Sequence, residues 1–456
     1  MSLDQLSGVK SQKSIANFSG VLSIRHSMDL RLNFCYLTVA ALAFTSSVSA
    51  DDWTQYRGSN HDGTSAEKLI QKQWPSRGPK VLWKTDNYPL GFSSFTVKGD
   101  RAFTVCGRDG KEVAVAMNAD TGRELWSHVM TTAEYGHDGG NAGSRTNKGG
   151  DGPRSTPSID DGRVYVMSAD LVLYCLDEKT GEPIWQRDLI RQNHGRNIKW
   201  ENAASPLVDG DLVFVAGGGT GQALLALNKV TGKVVWAGED DLMTHSTPVV
   251  TDLLGTRQVI FFTQTGLVSC DLQDGSVLWR YGFKFAVSTA ITPVVGGEMV
   301  YCSAGYGVGS AVVRVHKENG AFAATELWRI VGHKNVANHW STPVHHEGYL
   351  YGMFSFKKYE RGPLKCVQLS TGKVMWEQEG FGAGNAIIVD GHVAALSDSG
   401  QLVLVEAKSD SYEEVARAKL LEGKCWTTPV ISNGRVYVRS TKEAACIDLS
   451  GKVAAR

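Results

Sequence analysis

The sequence has no excess of charge of either sign, which argues against electrostatic attraction to a polyanion as its main activity. Its 456 residues contain 47 Lys and Arg against 47 Asp and Glu. Residues 1–50 hold only four of the basic and two of the acidic residues, so the balance persists in the rest of the chain. Nucleic-acid-binding domains carry a clustered basic surplus. No nucleic-acid partner is therefore expected.

Cysteine is scarce and scattered. Of eight cysteines, Cys35 falls within residues 1–50, and no two of the remaining seven are adjacent or spaced as C-x-x-C. A disulfide framework or a zinc site would need such spacings. Most of these cysteines lie in apolar strand-like runs, where cysteine packs as a small hydrophobe. No disulfide framework and no metal site are predicted.

The chain also lacks an apolar run long enough to cross a bilayer. The most apolar stretch, Leu32–Phe44, follows Arg31 and precedes the small residues Val48-Ser49-Ala50. This order is typical of a secretory signal peptide cleaved before Asp51. It predicts a periplasmic or secreted protein that begins at Met28, with residues 1–27 either an artefact of the assigned start or a genuine unstructured extension.

Common catalytic motifs are missing as well. The sequence contains no G-x-x-x-x-G-K-[ST], H-E-x-x-H or G-x-S-x-G phrase. Its glycine runs at 217–221 and 305–309 follow predicted strands but precede further strands, so they do not indicate phosphate-binding loops. No catalytic residue can be assigned from motifs.

What the sequence does contain is a tryptophan that recurs every 43 to 59 residues. These seven tryptophans are Trp83, Trp126, Trp185, Trp236, Trp279, Trp328 and Trp376. A period of this length indicates one supersecondary unit repeated in space. Each is expected to lie on an outer strand, pack against the neighbouring unit and form a structural girdle, with its indole N–H bonded to a backbone carbonyl.

One repeat, residues 155–185, shows the unit. It contains four short runs of β-branched and aromatic residues, separated by turn residues such as Asp161-Gly162 and Thr180-Gly181. Such runs predict a four-stranded antiparallel meander. Eight copies begin near Ser94, Ser155, Ser205, Ser246, Thr292, Ser341, Asn385 and Thr427.

The last copy lacks a fourth strand, and residues 81–84 supply one at the start of the chain. The prediction is an all-β, eight-bladed propeller of four-stranded antiparallel blades over residues 79–456, closed by this N-terminal strand, with seven blades as the alternative. Residues 51–78 form a lead-in and residues 1–50 the extension and signal peptide.

The phrase Leu-Asp-x-x-Thr-Gly-x-x-x-Trp at residues 176–185, with variants at 227–236 and 369–376, resembles the repeat of the pyrroloquinoline-quinone (PQQ) propeller superfamily. That superfamily contains quinoprotein alcohol dehydrogenases and non-catalytic, BamB-like outer-membrane-assembly lipoproteins. The resemblance covers about residues 79–450. The opening residues 52–58 and 62–65 resemble the start of secreted PQQ-binding-like propellers of planctomycete type.

The resemblance to the dehydrogenases implies PQQ, a calcium ion, cationic and aromatic residues around the cofactor, an aspartate base and a disulfide between adjacent cysteines. This chain has no adjacent cysteines and no obvious calcium-binding set. The main interpretation is therefore an exported binding or scaffold module, expected to be monomeric, with a protein or a glycan as partner. The alternative is a PQQ-dependent oxidoreductase of alcohols or sugars with an atypical site.

The segments that precede the innermost strands are rich in aromatic, cationic and amide groups, which should converge on one mouth of the central channel. The candidate ligand-binding residues are Arg154, Trp200, Asn202, His245, Lys334, Asn338, His339, Trp340, Lys424 and Trp426. Two interpretations remain: the tryptophans plug the channel, or the group forms a pocket for an anionic or sugar-like ligand. The glycine-rich stretch 135–154 is either a lid or a decoration.

Overall fold

Short runs of β-branched and aromatic residues between turn residues form strands throughout the described chain. The computed structural model describes residues 52–68, 70–133, 135, 152–285, 287–332, 336–354 and 362–450. The predicted signal peptide, the predicted start at Met28 and most of the stretch 135–154 lie outside these residues. The described residues contain one helix, α1 (Leu189–Gln192), so the expectation of few helices is met there.

The first four blades are antiparallel meanders, each in the order of its strands along the chain. Blade 1 contains β3 (Thr96–Lys98), β4 (Arg101–Arg108), β5 (Lys111–Asn118) and β6 (Glu124–Thr132). Blade 2 contains β7 (Ser158–Asp160), β8 (Arg163–Met167), β9 (Val172–Asp177) and β10 (Pro183–Asp188). Blade 3 contains β11 (Leu207–Asp209), β12 (Leu212–Ala216), β13 (Leu224–Asn228) and β14 (Val234–Gly238). Blade 4 contains β15 (Val249–Leu253), β16 (Thr256–Thr263), β17 (Gly266–Asp271) and β18 (Val277–Gly282).

The other four blades continue this pattern, and two of them also take a strand from the lead-in. Blade 5 contains β19 (Val294–Gly296), β20 (Met299–Ala304), β21 (Gly309–Glu318) and β22 (Ala321–Ile330). Blade 6 contains β23 (Val344–His346), β24 (Tyr349–Met353), β25 (Leu364–Gln368) and β26 (Val374–Gln378). Blade 7 contains β27 (Asn385–Val389), β28 (His392–Leu396), β29 (Gln401–Glu406) and β30 (Glu414–Lys419), with β1 (Thr64–Ser65) added parallel to β27. Blade 8 contains β31 (Val430–Ser432), β32 (Arg435–Arg439) and β33 (Ala444–Asp448), completed by β2 (Lys80–Thr85).

The predicted eight-bladed propeller and its closure are thereby confirmed. Strand β2 pairs antiparallel with β33, so the outermost strand of the last blade comes from the start of the propeller. Arg439 strengthens the seam between blades 8 and 1 from inside. Its fully buried guanidinium donates to Val105 O at 2.7 Å and to Tyr88 O at 3.1 Å.

Five of the seven repeated tryptophans lie against a glycine in the turn of the following blade. A bulge occurs beside the tryptophan of each outer strand, as at Pro183 and Trp185 in blade 2. The Trp126 ring lies on Gly181, where a Cβ atom would come within 2.5 Å of it, and its indole N–H donates to Glu178 O at 3.0 Å. The same ring-on-glycine contact joins Trp83 to Gly122, Trp185 to Gly232, Trp236 to Gly275 and Trp328 to Gly372.

Two blade junctions depart from this contact. The indole of Trp279 donates to the Gln258 side chain of its own blade at 2.6 Å, because the next blade has a long hairpin in place of the Thr-Gly turn. In the degenerate seventh repeat, Lys408 O accepts from Trp376 at 2.8 Å and Tyr412 packs edge-on against that ring at 5.6 Å. Burying a tryptophan side chain contributes on the order of 4–6 kcal/mol to the free energy of folding before the loss of conformational entropy is subtracted.

The lead-in crosses the end of the channel at which the innermost strands finish. Trp53 forms a bridge with Val97 of β3, and Thr54 O accepts from Ile159 N of β7 at 2.8 Å. The Gln55 amide exchanges two hydrogen bonds with the backbone of Val208 in β11, at 2.8 and 2.9 Å.

The same segment then reaches the blades on the other side. Arg57, only 2 % exposed, donates to Thr342 O at 3.1 Å and to Pro343 O at 2.9 Å, both next to β23. Glu67 accepts from Gly434 N of blade 8 at 2.6 Å. The lead-in therefore connects blades 1, 2, 3, 6, 7 and 8 at one end of the channel.

A belt of Ser and Thr side chains holds the starts of the innermost strands together at the other end. Ser94 N donates to Thr156 Oγ1 at 3.0 Å, Thr156 N to Ser205 Oγ at 2.9 Å and Ser205 N to Thr247 Oγ1 at 2.9 Å. Thr428 N donates to Ser94 Oγ at 2.8 Å and extends the belt across the seam to blade 8. The residues just before these strands are thus fixed relative to one another.

The ring-on-glycine contact predicts a large penalty for Gly181→Ala and a small one for Gly162→Ala. Both glycines have a φ of +74°, so both variants bear a left-handed strain of about 1–2 kcal/mol. Only the new methyl group at 181 meets a ring, whereas nothing lies within 4 Å at 162. Overpacking should cost Gly181→Ala about 1–3 kcal/mol more, measured as the difference in urea unfolding free energy. Equal losses of unfolding free energy in the two variants would show that the contact with Trp126 does not contribute to stability.

Candidate functional site

Six rings form a continuous arc at the channel end where the innermost strands begin. This aromatic arc consists of Phe92, Trp426, Trp340, His339, Tyr306 and Trp200. Successive ring centroids lie 4.9, 4.6, 4.5, 4.9 and 6.2 Å apart in that order. Each ring comes from the segment before an innermost strand, except that of Tyr306, which stands on the turn between β20 and β21.

The two halves of the arc differ in packing. The first four rings are those of Phe92, Trp426, Trp340 and His339. Each has its centroid within 5 Å of the next ring's centroid, and all four are partly buried. Tyr306 is 60 % exposed, and its ring is parallel to that of Trp200 to within 6°. The first four rings pack closely together, while Tyr306 and Trp200 leave ring surface open to solvent.

The open half is built on strained backbone. Trp200 and Glu201 have φ values of +71° and +59°, and Tyr306 has a φ of +57°. A bulky residue in this left-handed region is an outlier that persists only where the surroundings impose it. Here Arg154 Nη1 donates to Trp200 O at 2.7 Å, and His245 Nε2 lies 3.0 Å from Lys199 O.

Three cationic side chains border the arc. Lys424 Nζ lies 4.8 Å from the Trp426 ring and 5.8 Å from the Phe92 ring. Lys199 Nζ lies 5.2 Å from the Trp200 ring, and the Arg154 guanidinium 5.7 Å from the Tyr135 ring. Cations over ring faces are stabilised by the ring quadrupole, so positive charge is spread along the mouth.

The two mouth histidines are neutral at physiological pH. Burial lowers the pKa of His245 to about 3 and that of His339 to about 4, and the nearby Arg154 also lowers the pKa of His245. His245 Nδ1 lies 2.8 Å from Ser288 Oγ, which fixes its ring orientation. Neutral imidazoles act as hydrogen-bonding and stacking groups here and add no charge.

A buried carboxyl group supports the mouth from below. Glu112 is fully buried, accepts from Tyr135 Oη at 2.7 Å and from Ala169 N at 2.9 Å, and joins blades 1 and 2. Burial raises its pKa to about 7, against the lowering effect of these hydrogen bonds. Since Arg154 lies over the Tyr135 ring, Glu112 indirectly supports the residue that holds Trp200.

Most predicted mouth residues come together, but two asparagines are used elsewhere. The Asn202 amide bonds within its own turn and to Ser168 O at 3.3 Å, and that of Asn338 donates to Met353 O at 2.8 Å in the core. Lys334 lies outside the described residues. Arg154, Trp200, His245, His339, Trp340, Lys424 and Trp426 all border the mouth; their part in binding stays a prediction.

Sequence reasoning did not pick out Phe92, Tyr306 or Lys199. Phe92 could have been found by aligning the segments before the innermost strands, because it stands in the same place as Trp340 and Trp426. Tyr306 lies in the glycine run that was considered only as a phosphate loop. Lys199 precedes a predicted tryptophan and was overlooked beside it.

Within the described ranges, no three His, Cys, Asp or Glu side chains are grouped so as to hold a metal ion. The seven cysteines there are free and buried. None of the helices described there has the length and apolar character needed to cross a membrane.

Glu112 should make folding stability depend on pH near neutrality. Its pKa is about 7 in the folded protein and near 4.5 in the unfolded chain, so the folded state binds the extra proton between these values. Stability is therefore fully present below pH 4.5 and declines by about 3 kcal/mol as the pH rises through 7. Urea unfolding of the native protein and of Glu112→Gln at pH 5 and pH 8 measures this, and the variant should show a smaller decline. The same decline in both proteins would contradict the assignment.

Comparisons with known proteins agree with this architecture. The family model described as outer membrane protein assembly factor BamB matches residues 109–352 and 360–454. BamB of Yersinia pestis is 26 % identical over 296 residues, covering 60 % of this chain and 68 % of that protein. In structure, BamB of Moraxella catarrhalis aligns with a TM-score of 0.58 at 16 % identity, over 82 % of this chain and 99 % of that one. A quinohemoprotein alcohol dehydrogenase of Pseudomonas putida aligns at 0.60 and 13 % identity, over 89 % and 81 %, and shows the shared fold alone. The chain belongs to the PQQ-repeat β-propeller family whose model is described as outer membrane protein assembly factor BamB.

Proposed function

We propose that this protein is an exported binding and scaffold module that holds its ligand at the aromatic arc. The observation that carries the proposal is the arc itself, in which partly exposed rings bordered by cations are fixed at one mouth of the channel. Aromatic groups with a few convergent polar side chains are typical of binding sites. The lead-in crosses the opposite end, so the mouth is the natural side for a ligand.

The family membership supports a binding role. Its relatives in Yersinia pestis and Salmonella typhimurium carry the name of an outer membrane protein assembly factor. The signal-peptide pattern at residues 31–50 supports export to the periplasm or beyond. A protein or glycan partner met outside the cytoplasm is consistent with both.

A PQQ-dependent oxidoreductase is less well supported. Trp340 and Trp426 could provide an aromatic floor, and Lys424 and Arg154 could face the cofactor carboxylates. A divalent ion on the quinone oxygen would need several oxygen ligands, and no group of three suitable His, Cys, Asp or Glu side chains occurs among the residues described. The described part of the mouth therefore offers no carboxylate cluster to hold such an ion beside a quinone.

Export predicts a mature protein that begins at Asp51. Intact-mass measurement of the protein secreted or released from the periplasm should show loss of residues 1–50 by cleavage after Ala50. Replacing Ala50 by a bulky residue, as in Ala50→Phe, should slow this cleavage. A protein that stays in the cytoplasm with residues 31–50 attached would refute export.

Binding at the arc predicts contacts that depend on position. We would place photoreactive p-benzoylphenylalanine at position 306 or at position 129 in the full-length protein, in the cells that produce it. Tyr306 is 60 % exposed on the arc and Val129 is 59 % exposed on β6, so the two positions differ in place and hardly in exposure. Irradiation should give defined adducts at 306 and none at 129.

The oxidoreductase alternative is tested by a calorimetric titration of the protein with PQQ and calcium, followed by an assay of dye reduction with alcohols and sugars. Stoichiometric binding and turnover that both weaken in Trp426→Ala would favour the oxidoreductase over the scaffold.

In the crosslinking experiment, adducts that form equally at positions 306 and 129, or at neither, would refute ligand binding at the arc.

A further inference from the structure

We infer that the open half of the aromatic arc, Trp200 and Tyr306 with Lys199, binds an acidic polysaccharide of the uronic-acid type. The inference rests on the proposed function, because it names the ligand class of that same mouth.

The rings offer flat surfaces in a fixed orientation. Trp200 and Tyr306 are parallel to within 6°, with centroids 6.2 Å apart, and the Tyr306 side chain stands 60 % exposed between Gly305 and Gly307. A large aromatic ring that stays exposed on strained backbone lowers the stability of the fold, because it is not buried enough to offset the strain. Parallel aromatic faces suit pyranose rings, whose axial C–H groups form an apolar face that stacks on aromatic carbon.

The backbone beside these rings is already engaged. Lys199 O faces His245 Nε2 at 3.0 Å, and Trp200 O accepts from Arg154 at 2.7 Å. Glu201 N donates to Ile198 O, and Asn202 N to Ala169 O, each at 3.1 Å. A peptide bound as an added strand needs open main-chain groups, whereas a sugar needs only ring faces and side-chain donors. The segment therefore favours a glycan over an extended peptide.

The charge of this half favours an anionic ligand. Lys199 is exposed with its Nζ 5.2 Å from the Trp200 ring, and Arg154 is held beneath the same residue. The carboxylate of Glu201 accepts a hydrogen bond from the Asn197 amide. A carboxylated sugar stacked on Trp200 would bring its negative charge next to the Lys199 ammonium.

Buried polar groups without partners in the described chain lie next in sequence to residues of the mouth or belong to them. The buried Ser155 and Ser341 hydroxyls follow Arg154 and Trp340 in the chain and have no hydrogen-bond partner among the described residues. His339 Nδ1 also lacks a partner there, and burial lowers the pKa of this histidine to about 4, which keeps it neutral. Buried polar groups of this kind generally have partners, and ordered water between them and a polyhydroxylated ligand would supply these.

The test is a calorimetric titration of the full-length mature protein with three probes. Hexagalacturonate has pyranose rings and carboxylates, cellohexaose has the rings without charge, and poly-L-glutamate has the charge without rings. Only hexagalacturonate should bind well, and its affinity should fall as NaCl rises from about 0.05 to 0.5 M, because exposed charges are screened.

Variants then locate the site. Tyr306→Asn removes the ring yet tolerates the left-handed backbone, and it should weaken binding by about tenfold, as a central aromatic contact does. Tyr306→Phe should retain binding. Lys199→Gln should weaken binding about threefold and abolish most of its salt dependence, whereas Lys373→Gln, an exposed lysine on the outside of blade 6, should change nothing.

Each other outcome overturns the inference in a distinct way. Equal binding of poly-L-glutamate would mean attraction by charge alone, and equal binding of cellohexaose would remove the acidic requirement. Binding unaffected by Tyr306→Asn would place the glycan elsewhere. Absence of glycan binding together with photo-adducts of a protein at position 306 would refute the glycan and leave the proposed function standing, whereas absence of both would refute the two together.

Discussion

The structure depends on one contact, made at five of the eight blade junctions, in which a tryptophan of one blade covers a glycine in the turn of the next. The contact is specific because the glycine has a positive φ and leaves no room for a Cβ atom under the ring, as at Gly181 beneath Trp126. It also joins the first blade to the last, through Trp83 and Gly122. Strand β2 then completes the last blade, so that the ring of blades is closed by the start of the propeller.

The two ends of the channel follow from this ring, and they differ. At one end the lead-in joins six blades through its backbone and through the buried side chains of Gln55 and Arg57. At the other end the Ser and Thr belt fixes the strand starts and so positions the aromatic segments. The lead-in covers one end of the channel, and Tyr306 presents an exposed ring at the other.

The fold could be predicted from the sequence because its signals are local and repeated. Turn residues and alternating apolar runs predicted all eight blades, and the closing strand predicted at residues 81–84 lies at Lys80–Thr85. The lead-in and the arc were harder, because their contacts are made between residues far apart in the chain, such as Arg57 with Thr342 or Trp340 with Trp426. Tyr306 was missed since its importance comes from exposure and strain, which no periodicity reveals.

The mouth is prepared for binding before any ligand arrives. Glu112 holds Tyr135, the ring of Tyr135 lies under Arg154, and Arg154 holds the carbonyl of Trp200 in its left-handed conformation. The entropy of ordering these groups is lost during folding, so it need not be lost again when a ligand binds. This explains why the protein tolerates a buried carboxyl whose pKa is near 7 and a strained tryptophan in the same region. Both lower stability, and the interlocked blades supply the surplus that allows them to persist.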